Sequence, residues 1–227
     1  MSHRILEELL KSKGASLVGF CKLDASPIKN QPHLRYAISI AVKLSDSVLR
    51  TIDDRPSIMY FQHYRTVNYR LDQICLDCVK YLEDKGFDAF PIAGSQSKPT
   101  DKFSGVFQHK TAARLAGLGY IGKNSMFITP EYGSKVRLAT ILTDMPLEST
   151  KPIIHQNCGD CTICQKACPY NAQVKATIDI SEARKAQLNS IGNADKAMFK
   201  KIAKHSAMGR INYSQLIRNI DKTKNKH

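Results

Sequence analysis

Apolar residues recur at three- and four-residue spacing near the start of the chain. Ile5, Leu6, Leu9 and Leu10 share one face, so the pattern predicts a helix from an N-cap at Ser2 to about Lys13, closed by Gly14. The period then changes. Ala15–Leu23 and Tyr36–Leu44 are short, nearly continuous apolar runs separated by a Pro- and Asn-containing loop, and each predicts a buried strand. Asp46–Asp54 predicts a short helix that Pro56 breaks. The longest helical repeat spans Ile58–Lys85, with Leu71, Ile74, Cys75, Cys78 and Leu82 on its apolar face and Gly86 at its end. A strand at Phe87–Ile92, a loop at Ala93–Gly105, a helix at Gln108–Leu115 and a glycine-rich turn at Ala116–Asn124 follow. Met126–Thr129 and Val136–Thr143 read as two strands across a Pro130–Gly133 turn. Beyond a linker containing Pro146 and Pro152, helices are expected at about Ser181–Asn189, Ala194–His205 and Tyr213–Ile220.

Strands and helices alternate up to Asp144, which predicts a central sheet with packed helices, of α+β or α/β class. The chain divides at the linker into residues 1–145 and 146–227. Its 227 residues are 42% hydrophobic and 24% charged, ordinary for a globular protein. No stretch approaches the roughly 18 uncharged apolar residues of a membrane span. The first helix contains acids and does not read as a secretory signal, so a cytoplasmic protein with reduced cysteines, away from membranes, is expected. The net charge of +14 is uneven: the last 47 residues hold eleven Lys/Arg against three Asp/Glu. Such a tail is either a solvated end or a surface for a polyanion such as RNA.

Chemistry concentrates in the second half. Cys158, Cys161, Cys164 and Cys168, followed by Pro169, form C-x2-C-x2-C-x3-C-P, the iron–sulfur ligand run of bacterial ferredoxin-type proteins. Structural zinc also accepts four thiolates, but usually from two separated C-x2-C pairs. The expectation is a ferredoxin-like cluster segment after the sheet domain. Upstream, His109–Asn124 (HKTAARLAGLGYIGKN) places Gly117, Gly119 and Gly122 after a helix. A dinucleotide fingerprint needs its glycines between a strand and a helix, so that reading is excluded. What remains is a backbone able to approach a ligand closely, with Lys123 and Asn124 as polar partners, or a tight turn with no ligand.

The run AGLGYIGKNSMFITPEYGSKVRLATILTD followed by the cysteine run resembles the epoxyqueuosine reductase family, over a stretch from about Leu17 to Tyr170 and most tightly from His109 to Pro169. Tyr60–Ile74 (YFQHYRTVNYRLDQI) is similar to a short branch of that family. The resemblance implies a cobalamin-dependent iron–sulfur reductase related to reductive dehalogenases. Electrons would enter through 4Fe–4S clusters from a reductant protein such as a flavodoxin-type donor, and the substrate of the queuosine enzymes is an epoxide on a tRNA wobble base. On this chain it implies that His109, Gly117, Gly119, Gly122, Lys123, Asn124, Gly133 and Ser134 line the corrinoid pocket and that the four cysteines hold metal.

Two departures limit the carry-over. The family's proton-donating Asp lies in an acidic segment that here corresponds to Pro91–Gln96 (PIAGSQ), without a carboxylate; Asp101 is the nearest acid. The family's second cysteine run corresponds to Gly209–Asp221 (GRINYSQLIRNID), with Asn212, Gln215 and Asn219 at the cysteine positions. One cluster is therefore expected. Its fourth position is left to Cys168, Asp221, solvent, or a vacancy that gives a three-iron cluster. An electron carrier that has lost the corrinoid, and a tRNA-binding relative without reductase activity, are the competing readings. Cys21, Cys75 and Cys78 are expected in the core. His63 and His155 are surface, packing or site residues, and Tyr60, Phe61, Tyr64 and Tyr69 form either a core face or a ligand wall.

Overall fold

The computed structural model describes residues 3–52, 57–96, 105–124, 126–149, 151–154, 158–162, 173–174 and 177–178. Its elements are α1 (His3–Ser12), β1 (Leu17–Lys22), β2 (Tyr36–Lys43), α2 (Asp46–Leu49), α3 (Ile58–Glu83), β3 (Ala89–Ile92), α4 (His109–Leu115), β4 (Tyr120–Ile121), β5 (Phe127–Ile128), β6 (Val136–Thr143), β7 (Gln173–Val174) and β8 (Thr177–Ile178). The expected Ser2 cap, the Pro56 break, the helices beyond Ser181 and the Gly209–Asp221 segment lie outside the described residues.

Four strands form one antiparallel sheet in the order β1-β2-β6-β3. The central strands are buried, β2 through its middle and β6 along almost its whole length, which is why both read as continuous apolar runs. Pro91 sits in edge strand β3, where a missing N–H interrupts no ladder between strands.

Side chains alternate between two cores. Val18, Phe20, Ile38, Ile40, Ala139 and Ile141 face α1, α2 and α3, together with Leu6, Leu10, Leu71, Ile74 and Leu82. Leu17, Ala37, Ala41, Leu138 and Leu142 face α4, which contributes Ala112 and Ala113. Ser57 caps α3, accepting the Tyr60 N–H at 3.0 Å, and Gly86 follows the helix at φ +82°. Three expected core cysteines are buried, and burial pushes the Cys21 thiol up to about 11 and that of Cys78 to about 12. Tyr60, Phe61 and Tyr64 belong to the α3 core, whereas Tyr69 is 67% exposed and joins neither core nor wall. Among the described residues no helix is long and apolar enough to cross a membrane.

One expected pairing differs. Met126–Thr129 and Val136–Thr143 are not partners across the Pro130–Gly133 turn. β5 pairs with β4, and the turn closes on itself through the paired backbones of Thr129 and Gly133. β6 already has β2 on one side and β3 on the other, so it has no edge left for β5.

An ion-pair network ties β6 to the far side of the sheet. Lys135 is 2% exposed, and its ammonium pairs with Asp46, which also accepts from Lys43 at 2.7 Å. The two lysines hold the Asp46 carboxyl down to about 2. Asp46→Asn leaves the buried Lys135 ammonium without a counter-charge and should cost about 1–3 kcal/mol at neutral pH. Because the unfolded carboxyl titrates near about 3.9, the wild-type advantage in urea midpoint should hold above that pH and close as pH falls through about 2.

Candidate functional site

The site is built around the passage from α4 into β4. Gly19 on β1, Ser39 on β2 and Thr140 on β6 are register partners, and they face the α4 side of the sheet. Their small side chains let α4 lie directly on the strands. A Cβ on Gly19 would stand 2.6 Å from the Ala116 carbonyl oxygen, closer than atoms can approach. At the other end of α4, the Thr140 hydroxyl is 2.9 Å from His109 Nδ1.

His109 therefore reads as an anchor. Its Nε2 donates to the Ala93 carbonyl at 2.9 Å, which makes Nδ1 the acceptor for Thr140. Both ring nitrogens thus have partners within the chain. Burial, with Arg137 nearby, holds the imidazole neutral with its pKa lowered to about 4. Gln96 packs against the same ring. It accepts the N–H groups of Val106 and Phe107 and donates to the Phe107 carbonyl at 3.1 Å. The stretch Pro91–Gln96, which lacks the family's acid, thus uses its last side chain to hold Val106 and Phe107 beside it. Asp101 lies outside the described residues.

The glycine-rich turn approaches the chain itself. Gly117, at φ +69°, ends α4, and a Cβ there would lie 2.7 Å from Lys151 Cβ and from the Pro152 carbonyl of the linker. A Cβ on Gly119 would lie 2.1 Å from the Ile128 carbonyl on β5. Gly122 continues the β4–β5 hairpin, its N–H donating to Met126 at 2.8 Å. Gly133, at φ +59°, closes the Thr129 turn, and Ser134 beside it is fully buried. Asn124 is also fully buried. Its Oδ1 accepts the Met126 N–H at 3.1 Å, while its Nδ2 has no hydrogen-bond partner among the described residues.

Lys123 joins this turn to the cysteine run. Its backbone N–H points at Cys158 Sγ, 3.4 Å away, and its ammonium donates to the Gly159 carbonyl at 2.5 Å and reaches that of Cys161 at 3.4 Å. The Cys158–Cys161 turn is closed by the Cys161 N–H on the Cys158 carbonyl at 2.9 Å, with Gly159 at φ +48°. Cys158 is half-buried and Cys161 exposed. Cys164, Cys168 and His155 lie outside the described residues. A paired thiol turn, a donor aimed at one sulfur and an adjacent cation fit an anionic iron–sulfur cluster. Among the described residues, no group of three or more His, Cys, Asp or Glu side chains could hold a metal ion, so the two described thiols need the rest of the run.

Sequence reasoning passed over three residues here. Arg137 stacks 4.2 Å over the Tyr64 ring and donates to Asn68 and to the Gly94 carbonyl. Thr140 anchors α4, and Gln96 joins the loop ends. Arg137 and Thr140 were legible as polar residues inside the apolar strand VRLATILT. Gln96 had no such signal, because its partners are backbone groups. His63 accepts the Ser45 N–H at 2.9 Å and serves the α2–α3 packing. A cleft of about 680 Å³ between β1 and the linker, lined in part by Cys21, Tyr36, Leu115 and Ile153, contains none of the expected site residues.

Gly119→Ala should destabilise the fold by about 1–3 kcal/mol through overpacking against β5. Gly86→Ala, with nothing within 4 Å, should show only the cost of its positive φ, and urea midpoints separate the two. The His109 ring should stay neutral in an NMR titration down to about pH 5. An unfolded histidine titrates near about 6.5, so its neutral burial adds stability that is lost as pH falls from there through about 4.

No family model matches the chain. The epoxyqueuosine reductase of Staphylococcus aureus is 39% identical over 161 residues, which cover 67% of this chain and 39% of that protein. That of Gloeobacter violaceus is 44% identical over 104 residues, covering 45% of this chain and 31% of the relative. The chain thus spans well under half the length of these relatives. Among solved structures, epoxyqueuosine reductase with a modified tRNA stem loop superposes with a TM-score of 0.57 at 22% identity, over 88% of this chain and 60% of that one. A catabolic reductive dehalogenase in complex with 3-bromo-4-hydroxybenzoic acid gives 0.66 at 15% identity, over 97% and 36%. At these identities the superpositions show a shared fold.

Proposed function

Because the chain belongs to the epoxyqueuosine reductase-like family, we propose that it is an iron–sulfur oxidoreductase whose cluster is held by Cys158, Cys161, Cys164 and Cys168 at the end of the glycine-rich turn. The observation that supports this reading is the contact of Lys123, at the end of the glycine-rich turn, with the Cys158–Cys161 turn. A cluster bound there would pass single electrons. The proposal divides the chain into a sheet domain to residue 145 and a cluster-bearing segment from residue 146.

The corrinoid belongs to the same proposal. Its support is the likeness to relatives named epoxyqueuosine reductase and the unsatisfied Asn124 amide buried in the turn. Lys123, Asn124, Gly122, Gly133 and Ser134 would line its pocket. Gly117 and Gly119 would shape that pocket through their packing on the linker and β5, and His109 by fixing α4. A bound corrinoid would supply the low-valent metal that reduces the substrate. With Gln96 committed to the loop ends, no acid stands in the described part of the stretch where an epoxide oxygen would need one, so the reading extends to reduction and not to epoxyqueuosine itself.

A tRNA partner is part of the reading as well, supported by the basic residues 181–227 and by the relative solved with a tRNA stem loop. Phosphate contacts make such binding salt-dependent.

Anaerobically purified protein should carry about four irons and matching acid-labile sulfide per chain, the content of one cubic cluster. About eight irons would defeat the single-cluster reading, and none would defeat the iron–sulfur assignment. Titration with cob(II)alamin should change its visible spectrum, and an unchanged spectrum removes the corrinoid. Binding of tRNA at low salt should disappear on deleting residues 182–227.

A further inference from the structure

We propose that Lys123 is a positioning residue for the cluster, with two separable actions: its backbone holds the Cys158 thiolate, and its ammonium clamps the Cys158–Cys161 turn and sets the ease with which the cluster is reduced. The proposal rests on the iron–sulfur reading above.

The geometry separates the two actions. The backbone N–H lies 3.4 Å from Cys158 Sγ and survives any side-chain change other than proline. Among the described residues the ammonium makes no contact with sulfur. It reaches around the turn to the carbonyls of Gly159 and Cys161. Gly159 adopts a positive φ and has nothing within 4 Å of where a Cβ would stand. The turn's own Cys161-to-Cys158 backbone bond and the Lys123 ammonium are among the contacts that hold it.

Charge gives the second action its direction. Among the described residues no carboxylate pairs with Lys123, and both of its ammonium contacts are to neutral carbonyls. Among the described residues its positive charge is therefore not neutralised by a direct ion pair. Reduction adds one electron to a cluster that is already anionic with its thiolates. A nearby cation favours the reduced form, as net charge and hydrogen bonds to the sulfurs set cluster potentials. The side chain is half-buried, so added salt should weaken the effect only in part.

The test uses the full chain with two substitutions. Lys123→Met keeps the backbone donor and removes the charge; Lys123→Arg keeps both. In an EPR-monitored redox titration of the cluster-loaded protein, Lys123→Met should hold its electron about tenfold less tightly, a fall of about 59 mV for one electron. Lys123→Arg should stay near wild type. An unchanged potential in Lys123→Met, or an equal fall in both variants, overturns the electrostatic role. In the metal-free chain, alkylation of Cys158 and Cys161 by iodoacetamide, read by mass spectrometry, should be faster in Lys123→Met than in wild type or Lys123→Arg. Equal rates overturn the clamp. A wild-type chain that takes up neither iron nor sulfide defeats the iron–sulfur reading on its own, while the alkylation rates still decide the clamp.

Discussion

Gly19, Ser39 and Thr140 lie side by side across three strands, and α4 comes so close at Gly19 that a Cβ there would meet the Ala116 carbonyl. Protein interiors are packed too densely for such an approach to be loosened locally. The position of α4 therefore fixes the course of the chain beyond it. Gly117 must leave the helix against the linker, Gly119 must pass under β5, and Lys123 emerges where the Cys158 turn begins. The chemistry proposed for this protein stands at the end of that series of close contacts, each of which depends on a residue being small.

The same dependence explains how the sequence could be read. The strands and α3 were legible because their apolar periods are long. The glycines between Ala116 and Asn124 marked a backbone with close neighbours, but not what those neighbours were. A ligand and a packed strand ask for the same residue. Only the positions of Lys151, Pro152 and Ile128 show that Gly117 and Gly119 are pressed by the chain itself. Pairing of β5 was hidden for a different reason. A short turn between two apolar runs predicts a hairpin, and nothing local reveals that β6 has both edges taken.

Charge is handled in two ways on the α3 side of the sheet. Lys135, nearly inaccessible, is matched by Asp46. Arg137, two residues on, is satisfied instead by the Tyr64 ring, the Asn68 side chain and the Gly94 carbonyl. The first arrangement cancels a charge, whereas the second orients one and leaves it positive. A planar guanidinium suits that task, since stacking and its fork of donors fix its direction together.

Gln96 gives the fold a further property. By accepting from Val106 and Phe107 on one side while lying against His109 on the other, it brings the ends of the intervening loop together on the rigid part of the molecule. Closing a somewhat longer loop between fixed ends costs little more in entropy. The contacts that fix the start of α4 come from Gln96, Ala93 and Thr140, so insertions or replacements in the sequence between residues 96 and 105 should leave α4 and the strands where they are.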